Sequence, residues 1–439
     1  MKSPKRLALT AAVALAFFAG LAVDHAASAS RRSAAPYRSL DVFASVLEHV
    51  ENSYVESVDE RDLVYGAVDG LVGRLDAHSS FMRPDAFRAM REETSGEFDG
   101  LGIELTVREG QLTVVTPLAD SPGERAGIRP GDRILSIDGT ATKEMTLAEA
   151  IRRMKGPAGS RVSLEILREG FAAPQTLPLV RDRIRMQSVE WRVLDPERAY
   201  AYVRVKAFQE RTDRSLRRAL DDARAAVKGD VRGLVLDLRN NPGGLLDQAV
   251  RVSDAFLPAG VIVSTEGRGR RNVEVERAHE KDTEPAYPII VLVNRGTASA
   301  SEIVAGALQD HGRAVIMGTQ TFGKGSVQTI IELEDGSGLK LTVARYFTPK
   351  HRSIQELGIT PDVVVADAAP VARGEDGMPT ERDLKRHLKG DATVVPAAAP
   401  LDDYQLRTAL DYLRAVDILK ASLDASPRGV SARRDDATR

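Results

Sequence analysis

The sequence predicts an α/β protein with more than one domain, and three observations point to this class. Between residues 199 and 366, strand-like and helical stretches alternate, which is the rhythm of βαβ units on a largely parallel sheet. Short strands separated by glycine occupy residues 96–182 and predict a smaller, mostly β domain. Segments with helical spacing flank both regions, at 30–95 and 401–424.

Composition narrows the function classes before any motif is considered. The chain has 439 residues, of which 43% are hydrophobic and 28% charged, and this suits a globular protein of about three domains. Its 61 basic and 63 acidic side chains leave a formal charge of −2, so no overall field favours nucleic acid or anionic lipid. The absence of cysteine excludes disulfides, thiol catalysis and cysteine-based metal sites. The seven histidines form no His-Glu-x-x-His motif, and we expect neither a metal nor another cofactor.

The N-terminus reads as an export signal. Three basic residues precede an apolar run at 7–23, and a small-x-small cleavage motif ends at Ala29. We therefore expect residues 1–29 to be a secretory signal peptide and the mature protein to work outside the cytoplasm, most simply in a bacterial periplasm. Because the apolar run of about 17 residues is near the lower limit for spanning a bilayer, an uncleaved membrane tether is the alternative.

The N-terminal helical region, residues 30–95, is defined by apolar residues at helical spacing with a break at 76–80. The break places His78 beside two serines. Although a catalytic base is conceivable there, a lone histidine in a turn is more often a hydrogen-bonding structural residue, and we favour the structural role.

Next come the β-rich domain at 96–182 and the α/β core at 183–368. Within the β-rich domain, strands are predicted at 111–115 and 161–168, and Thr146 can cap a helix that runs to Lys155. The core's predicted strands are 200–205, 234–238, 261–264, 289–293 and 314–317. Its predicted helices are 213–227, 245–256 and 299–310. A hairpin of 326–333 and 339–346 closes the core around a glycine-rich turn.

The C-terminal part reads as a linker at 369–400, an amphipathic helix at 401–424 and a disordered tail at 425–439. The apolar faces of this helix and of the N-terminal helices could pair between protomers.

Residues 318–325 nearly form a phosphate-binding loop, with Gly, four residues and then Gly-Lys. The following position is Gly325, which has no hydroxyl to hold magnesium, and the next segment reads as a strand rather than a helix. We therefore disfavour a nucleotide-binding function.

Ser299 lies where a predicted strand meets a predicted helix, and two roles compete for it. With Glu302 it forms a Ser-x-x-Glu pattern, which is the common signature of a helix-capping box. Alternatively, a serine at such a turn exposes its oxygen as a nucleophile while the adjacent backbone N–H points at a substrate carbonyl. The octapeptide 296–303 alone favours the cap.

Two further loops change that balance. Residues 237–244 also end a strand and contain adjacent glycines, which let a substrate approach backbone N–H groups, and strand ends are where α/β sheets bind ligands. A serine nucleophile needs a base, and Lys324 is the candidate that these loops provide. Its pKa must fall by about 3 units, roughly 4 kcal/mol, which burial can supply. Gln328 could orient the amine, but four strand residues span about 13 Å, so the chain must bend at Gly323 or Gly325.

Several motifs in this order resemble the carboxyl-terminal processing peptidases, the family S41 serine proteases. The most specific are Thr-Ala-Ser-Ala-Ser-Glu-Ile at 297–303 and Thr-Phe-Gly-Lys-Gly-Ser-Val-Gln at 321–328. The resemblance runs from about residue 40 to 367 and also includes the motifs at 75–81, 237–244 and 352–362. His351 is a local departure, because glycine is usual before the Arg-Ser-Ile-Gln stretch.

The resemblance implies a ClpP/crotonase-like protease core with an inserted PDZ domain at 96–182. It implies that Ser299 is the nucleophile, Lys324 the general base and Gln328 its positioner. It also implies an oxyanion hole made by the backbone N–H groups of Gly243 and Ala300.

A PDZ domain offers the backbone N–H groups of a Gly-Leu-Gly-Ile-like loop to a peptide's terminal carboxylate, and the peptide adds as a strand to the sheet edge. The loop here is Gly100, Leu101, Gly102 and Ile103. Two of these residues would line an apolar pocket together with two from the following helix: Leu101, Ile103, Leu147 and Ile151. The alternative is that the glycines only form a turn.

We therefore expect a serine endopeptidase that holds protein C-termini with apolar ends in its PDZ groove and cleaves them through an acyl-enzyme. An activator or adaptor protein could align the catalytic residues. The competing hypothesis is a PDZ adaptor, a binding protein on a protease-like scaffold that no longer turns over.

Overall fold

The computed structural model describes residues 38–367 and 403–425. The expected signal peptide at 1–29, the linker at 369–400 and the tail after residue 425 lie outside these residues. The chain divides into two compact units, one ending at Arg83 and the other beginning at Pro84. Within the described residues, no helix combines the length and the apolar character that a membrane span needs.

The first unit contains helix α1 (Arg38–Ser53), helix α2 (Glu60–Val72) and the short strand β1 (Ser80–Met82). Helix α2 begins at Asp59, whose side chain accepts a hydrogen bond from Asp62 N, as expected of an N-cap. On helix α1, four apolar side chains are exposed: Leu40, Val42, Phe43 and Val46.

The turn that contains His78 is organised by Asp76. The Asp76 carboxylate accepts hydrogen bonds from the backbone N–H groups of His78 and Ser79 and from the Ser79 hydroxyl, at 2.7–2.8 Å. An aspartate that folds back on the following amides is a common turn device, so this motif has the structural role that the sequence favours.

The second unit opens with helix α3 (Pro84–Ser95) and continues into the β-rich domain. That domain starts and ends on an antiparallel pair, strands β2 (Glu97–Gly100) and β9 (Asp182–Arg185). Its sheet has the order β3-β4-β5-β7-β8, with β6 paired to β5, so β3 is an edge strand. The remaining elements are β3 (Ile103–Arg108), β4 (Gln111–Pro117), α4 (Pro122–Arg125), β5 (Arg133–Ile137), β6 (Thr140–Ala141), α5 (Leu147–Met154), β7 (Arg161–Leu167) and β8 (Gln175–Val180).

Helix α5 confirms the predicted helix in this domain. Its N-cap is Thr146, whose hydroxyl accepts a hydrogen bond from Glu149 N at 3.2 Å. The hydrophobic core of the domain lies between this helix and the strands, and Leu101 belongs to it.

The core has a six-stranded sheet in the order β10-β11-β12-β15-β16-β19, parallel except for the antiparallel pair β10–β11. The strands are β10 (Val189–Asp195), β11 (Tyr200–Val205), β12 (Gly233–Asp237), β15 (Ile289–Val293), β16 (Val315–Gly318) and β19 (Val363–Val364). The helices are α6 (Thr212–Val227), α7 (Leu246–Asp254), α8 (Ala300–Asp310) and, after the gap in the described residues, α9 (Tyr404–Ala425).

Helices cover both faces of this sheet. Alternate residues of each central strand enter two different clusters: in β15, Ile289 and Val291 pack towards helices α6–α8, whereas Ile290 and Leu292 pack towards helix α9. Strands that are buried on both faces read as continuous apolar runs, which is how the sequence shows them. The predicted C-terminal helix therefore covers its own sheet with its first turns, while Ile418 and Leu419 further along remain exposed.

One predicted strand belongs elsewhere. The segment at 261–264 lies in β13 (Gly260–Gly267), which pairs antiparallel with β14 (Glu274–Ala278) and with β18 (Gly338–Phe347), outside the parallel sheet. Strand β17 (Ser326–Glu332) completes the predicted hairpin with β18. The expectation of one alternating βαβ series was wrong at this strand, because local strand propensity does not specify which sheet a strand joins.

Candidate active site

Ser299 occupies a strained turn between strand β15 and helix α8. Its backbone has φ 58° and ψ −117°, a region that costs a non-glycine residue about 1–3 kcal/mol. An ordinary N-cap residue has an extended backbone, and its side chain accepts a hydrogen bond from the first turn of the helix. Here the N–H of Glu302 bonds instead to the Ser299 backbone carbonyl at 2.9 Å. The geometry therefore favours an exposed nucleophile at a strand-to-helix turn over a serine whose only role is capping.

Glu302 joins the two loops that carry the predicted serine and lysine. Its fully buried carboxylate accepts from Ser299 N at 2.7 Å, Gly323 N at 2.7 Å, Lys324 N at 2.9 Å and Thr321 Oγ1 at 2.6 Å. Burial raises the pKa of this carboxyl, and the four donors oppose the rise. The sequence showed only the capping pattern, whereas the structure shows that Glu302 spans both loops.

Lys324 lies in the loop between β16 and β17, and Tyr346 fixes its backbone by donating its buried hydroxyl to the Lys324 carbonyl. Burial lowers the pKa of the Lys324 ammonium, because removing a charge from water disfavours it. Within the described part of the chain, no hydrogen bond joins Lys324 Nζ to Ser299 Oγ. A strand, not a helix, follows this loop, so the phosphate-loop interpretation has no helix N-terminus to support it.

Among the described residues, the Gln328 amide hydrogen-bonds to groups other than Lys324. Its Nε2 donates to Ser326 Oγ at 2.8 Å and lies 3.3 Å from Thr342 Oγ1. Gly323 has φ 93°, and the pairing of β17 with β18 shifts register between Val327 and Gln328. The chain therefore bends between Lys324 and Gln328, as Gln328 would need in order to approach the lysine. The Gln328 side chain nevertheless points towards Ser326.

The two expected oxyanion donors flank Ser299. A Cβ added to Gly243, which has φ 102°, would lie 2.8 Å from Ser299 Cβ and 2.9 Å from Ala300 N, so only glycine fits this approach. Ala300 is the first residue of helix α8, and its N–H therefore has no acceptor inside the helix. The Gly243 N–H, in contrast, donates to Asn241 Oδ1 at 2.9 Å.

One cavity of about 300 Å³ brings these residues together. Ser299, Lys324, Gln328, Gly243 and Ala300 all line it. Apolar side chains form much of the rest, among them Leu246, Ile303 and Val327. Such a concave site with a few convergent polar groups is the usual form of a ligand site. Within the described residues, no three histidine, aspartate or glutamate side chains are grouped to hold a metal ion.

A buried ion-pair cluster holds the start of the Gly243 loop. The Arg239 guanidinium bonds to Asp237 and to Asp403, the residue before helix α9, each with a contact of 2.6 Å, and to Gln405 Oε1 at 3.0 Å. Tyr202 donates its hydroxyl to Asp237 at 2.8 Å, and burial raises the pKa of that phenol. No sequence pattern links residues 239 and 403, so this contact could not be predicted.

The predicted PDZ groove lies at the edge strand β3. Gly102 has φ 65°, and a Cβ there would lie 2.4 Å from Ser121 Cβ, so the loop requires glycine. Leu101 is 2% exposed and belongs to the domain core, whereas Ile151 on helix α5 is 38% exposed. Ile103 and Leu147 are partly buried against the same core, and Gly100 pairs with Asp182.

His351 adopts φ 59°, the left-handed region that explains why glycine is usual at this position. Its ring stacks on Phe347 at 4.6 Å between centroids, and its Nε2 lies 3.7 Å from Glu266 Oε1. These contacts offset part of the strain of the turn.

Fold and site together define the class of the protein, which is that of the serine-type peptidases. The model of peptidase family S41 matches residues 199–365, and a PDZ domain model matches residues 113–168. The carboxy-terminal-processing protease of Bartonella bacilliformis is 45% identical over 405 residues, covering 90% of this chain and 92% of that protein. That of Synechocystis sp. is 40% identical over 310 residues, covering 70% and 71%. This chain belongs to the carboxy-terminal processing proteases of family S41.

Among solved structures, a photosystem II D1 C-terminal processing protease is 32% identical. The match covers 75% of this chain and 93% of that chain, with a TM-score of 0.43.

Proposed function

We propose that the protein is a serine endopeptidase that acts outside the cytoplasm on proteins with apolar C-termini, using Ser299 as nucleophile and Lys324 as general base. The observation that carries the proposal is the strained Ser299 backbone in the same cavity as a lysine whose pKa burial lowers. The sequence signal at residues 1–29 supports the location.

The chemistry follows from these two side chains. The neutral Lys324 amine accepts the Ser299 Oγ proton as Oγ attacks the scissile carbonyl, which forms a tetrahedral oxyanion. The resulting ammonium then protonates the leaving amine, and the C–N bond breaks to give an acyl-enzyme on Ser299. In the second half, Lys324 takes a proton from water as the water attacks the acyl carbonyl, and the ammonium returns that proton to Ser299 Oγ as the bond to the acyl group breaks and the carboxylic acid product leaves.

The oxyanion donors are the backbone N–H groups of Gly243 and Ala300. Each such donor is worth about 3–4 kcal/mol in the transition state. The Gly243 N–H must first exchange Asn241 Oδ1 for the oxyanion, and Gln328 must turn from Ser326 to support the Lys324 amine. Substrate, or an activating partner, supplies the contacts that favour both changes.

The PDZ domain captures the substrate's C-terminus. Strand β3 is unpaired on its outer edge and contacts helix α5, so an extended peptide can add to the sheet with its terminal carboxylate at the loop of residues 100–103. Apolar terminal side chains would contact Ile103, Leu147 and the exposed Ile151.

The test compares wild type, Ser299→Ala and Lys324→Ala, each starting at Ser30, on an unfolded protein with an apolar C-terminus. A matched substrate ends in two aspartates, and mass spectrometry follows the fragments. We expect wild type alone to cleave, and to cleave the apolar substrate faster. Equal cleavage by Lys324→Ala would show that another group is the base.

The alternative is a PDZ adaptor that binds without cleaving. Its specific support is that Lys324 Nζ and Ser299 Oγ are not hydrogen-bonded and that the Gly243 N–H is occupied. Peptide binding by wild type without cleavage, even with an activating partner protein, would favour this function. The exposed apolar face of helix α1 leaves self-association open, which sedimentation can measure.

A further inference from the structure

A second lysine lies in the active-site cavity and has no part in the proposed dyad. Lys340, on strand β18 opposite Ile330 of β17, lines the same cavity of about 300 Å³ as Ser299 and Lys324. Nothing in its sequence surroundings marks it, because it stands in an ordinary alternating strand.

The pairing of β18 with β17 places Lys340 on the face of the hairpin that carries Gln328. Side chains two apart share one face of a strand, and the register pairs Lys340 with Ile330 and Thr342 with Gln328, so Lys340 lies on the Gln328 face of the hairpin. Thr342 Oγ1 lies 3.3 Å from Gln328 Nε2, and the Tyr346 hydroxyl bonds to the Lys324 carbonyl.

The Lys340 ammonium forms no ion pair with a carboxylate of the described residues. Among the described residues, Lys155 pairs with Glu92 and Lys206 with Glu190, whereas no ion pair includes Lys340. An unneutralised charge in a small cavity acts on the next ionisable group in that cavity.

We propose that Lys340 is a positioning residue for peptide cleavage, whose positive charge holds the Lys324 amine in its neutral, proton-accepting form. The inference rests on the proposed role of Lys324 as general base. It explains how a lysine can lose its proton although a carboxylate, that of Glu302, lies beside its own backbone.

The charged groups around Lys324 agree with this assignment. Burial is the largest cause that lowers its pKa, Lys340 lowers it further, and Glu302 opposes both. Glu93 of helix α3 lines the cavity too. The Tyr346 hydroxyl bonds to the Lys324 carbonyl and also lies near the Ser299 side chain. Lys340 is therefore the one positive group, among the described residues that line this cavity, that can favour the neutral amine.

The size of the effect follows from the cavity. A sphere of 300 Å³ is about 8 Å across, and two unit charges at that separation, in a medium between a protein surface and water, shift a pKa by about 0.5–1 unit. Replacing Lys340 by a neutral residue should raise the titration midpoint of Lys324, the pH at which half of its amine is protonated, by that amount.

The experiment measures Lys324 directly, in the full chain carrying Ser299→Ala so that no proteolysis intervenes. Each variant is exposed briefly to acetic anhydride across a pH series, and mass spectrometry quantifies acetylation of the peptide that contains Lys324. The variants are the Lys340 parent, Lys340→Gln, Lys340→Arg and, as a control for the same charge change outside the cavity, Lys350→Gln.

We expect the Lys324 midpoint to rise by about 0.5–1 pH unit in Lys340→Gln and to stay at the parental value in Lys340→Arg and Lys350→Gln. Equal midpoints in the parent and in Lys340→Gln would overturn the proposal. An equal rise in Lys350→Gln would do the same, because the effect would then be one of overall charge. A merely structural role predicts that arginine fails to restore the midpoint.

A second readout separates this inference from the proposed function. With Ser299 restored, a small uncharged fluorophosphonate reports nucleophile reactivity, and Lys340→Gln should slow labelling three- to tenfold at pH 7, as one half to one pH unit implies. If Lys324→Ala labels as fast as wild type, the dyad fails. If only Lys324→Ala is slow and Lys340→Gln labels normally, the dyad stands and the role of Lys340 fails.

Discussion

Glu302→Gln tests whether one buried carboxylate holds the serine and lysine loops together. The substitution keeps the size of the side chain and removes its charge. Glu302 Oε2 accepts from Ser299 N and Lys324 N, and Oε1 accepts from Gly323 N and Thr321 Oγ1. The glutamine NH₂ must replace one of these oxygens.

The expected loss of stability follows from that replacement. Whichever way the amide is oriented, two donors lose their acceptor and face another donor in a site with no access to water. A buried donor without a partner costs about 1–3 kcal/mol, so the free energy of unfolding should fall by about 2–6 kcal/mol. If the amide puts its NH₂ towards Thr321, the hydroxyl can turn to accept, and the loss lies at the lower end.

Urea unfolding followed by circular dichroism measures this difference. Glu334→Gln is the matched control, because it makes the same chemical change at an exposed hairpin position and should alter the free energy of unfolding by less than about 0.5 kcal/mol. Below the unfolding transition, fluorophosphonate labelling of Ser299 should also slow, since both loops lose their common anchor.

A free energy of unfolding for Glu302→Gln within 0.5 kcal/mol of wild type would refute the reasoning. It would mean that water or a neighbouring group satisfies the four donors without the carboxylate. Normal stability with slow labelling would refute only the energetic part, because the loops could still shift slightly in the folded protein.

Three further predictions concern single contacts. Gly243→Ala should abolish peptide cleavage but keep a native circular dichroism spectrum, because its Cβ would lie 2.8 Å from Ser299 Cβ; measurable turnover would show that the loop can retreat. Asp403→Asn should lower the free energy of unfolding at pH 7 by about 1–2 kcal/mol, since it removes one of the two carboxylates that pair with Arg239, and that carboxylate is 37% exposed. Burial alone would raise the pKa of Asp403, but Arg239 and backbone donors lower it below its ordinary value. The stability lost in Asp403→Asn should therefore shrink as the pH falls below about 4. A difference in the free energy of unfolding that is the same at pH 7 and pH 3 would contradict this. His351→Gly should change the melting temperature little, because relief of φ 59° offsets the lost ring stacking, whereas His351→Ala should lower it; equal melting temperatures would show that the turn is not strained.

Much of the fold could be predicted from periodicity, and the reason is visible in strand β15. Ile289–Val293 is apolar throughout because both faces of the sheet are covered, so the run identifies a central strand without further information. Strand β13 could not be placed in the same way. Its residues 261–264 have the same local character, but it pairs with β14 and β18 through contacts that only the folded chain specifies.

For the candidate site too, residues marked by local motifs could be predicted, whereas contacts between residues far apart in the sequence could not. Ser299 and Lys324 could be found because loops at strand ends, and the resemblance of their motifs, mark them. The bond of Glu302 to Thr321 and the contact of Arg239 with Asp403 join residues 19 and 164 positions apart in the sequence, and Lys340 enters the cavity from a strand that carries no motif. No sequence period connects such residues, so their chemistry appears only when the elements pack.

The proposed mechanism needs two contacts that the structure does not show: Lys324 Nζ with Ser299 Oγ, and the Gly243 N–H with the oxyanion. The two contacts require different movements, and an activator would therefore affect them differently. Glu302 Oε2 accepts hydrogen bonds from the backbone N–H groups of both Ser299 and Lys324, so in the proposed dyad the two backbones are already held together. The Gly243 N–H must leave Asn241 Oδ1, although the Asn241 amide is itself held by the Val205 carbonyl at 2.8 Å, and the Asn241 carbonyl by Ala298 N at 3.0 Å. A buried side chain with both ends bonded moves only when a competing acceptor enters, and the developing oxyanion is such an acceptor. On the proposed mechanism, we expect the substrate's oxyanion to complete the oxyanion hole, and a partner or a PDZ-bound peptide to act mainly on the lysine.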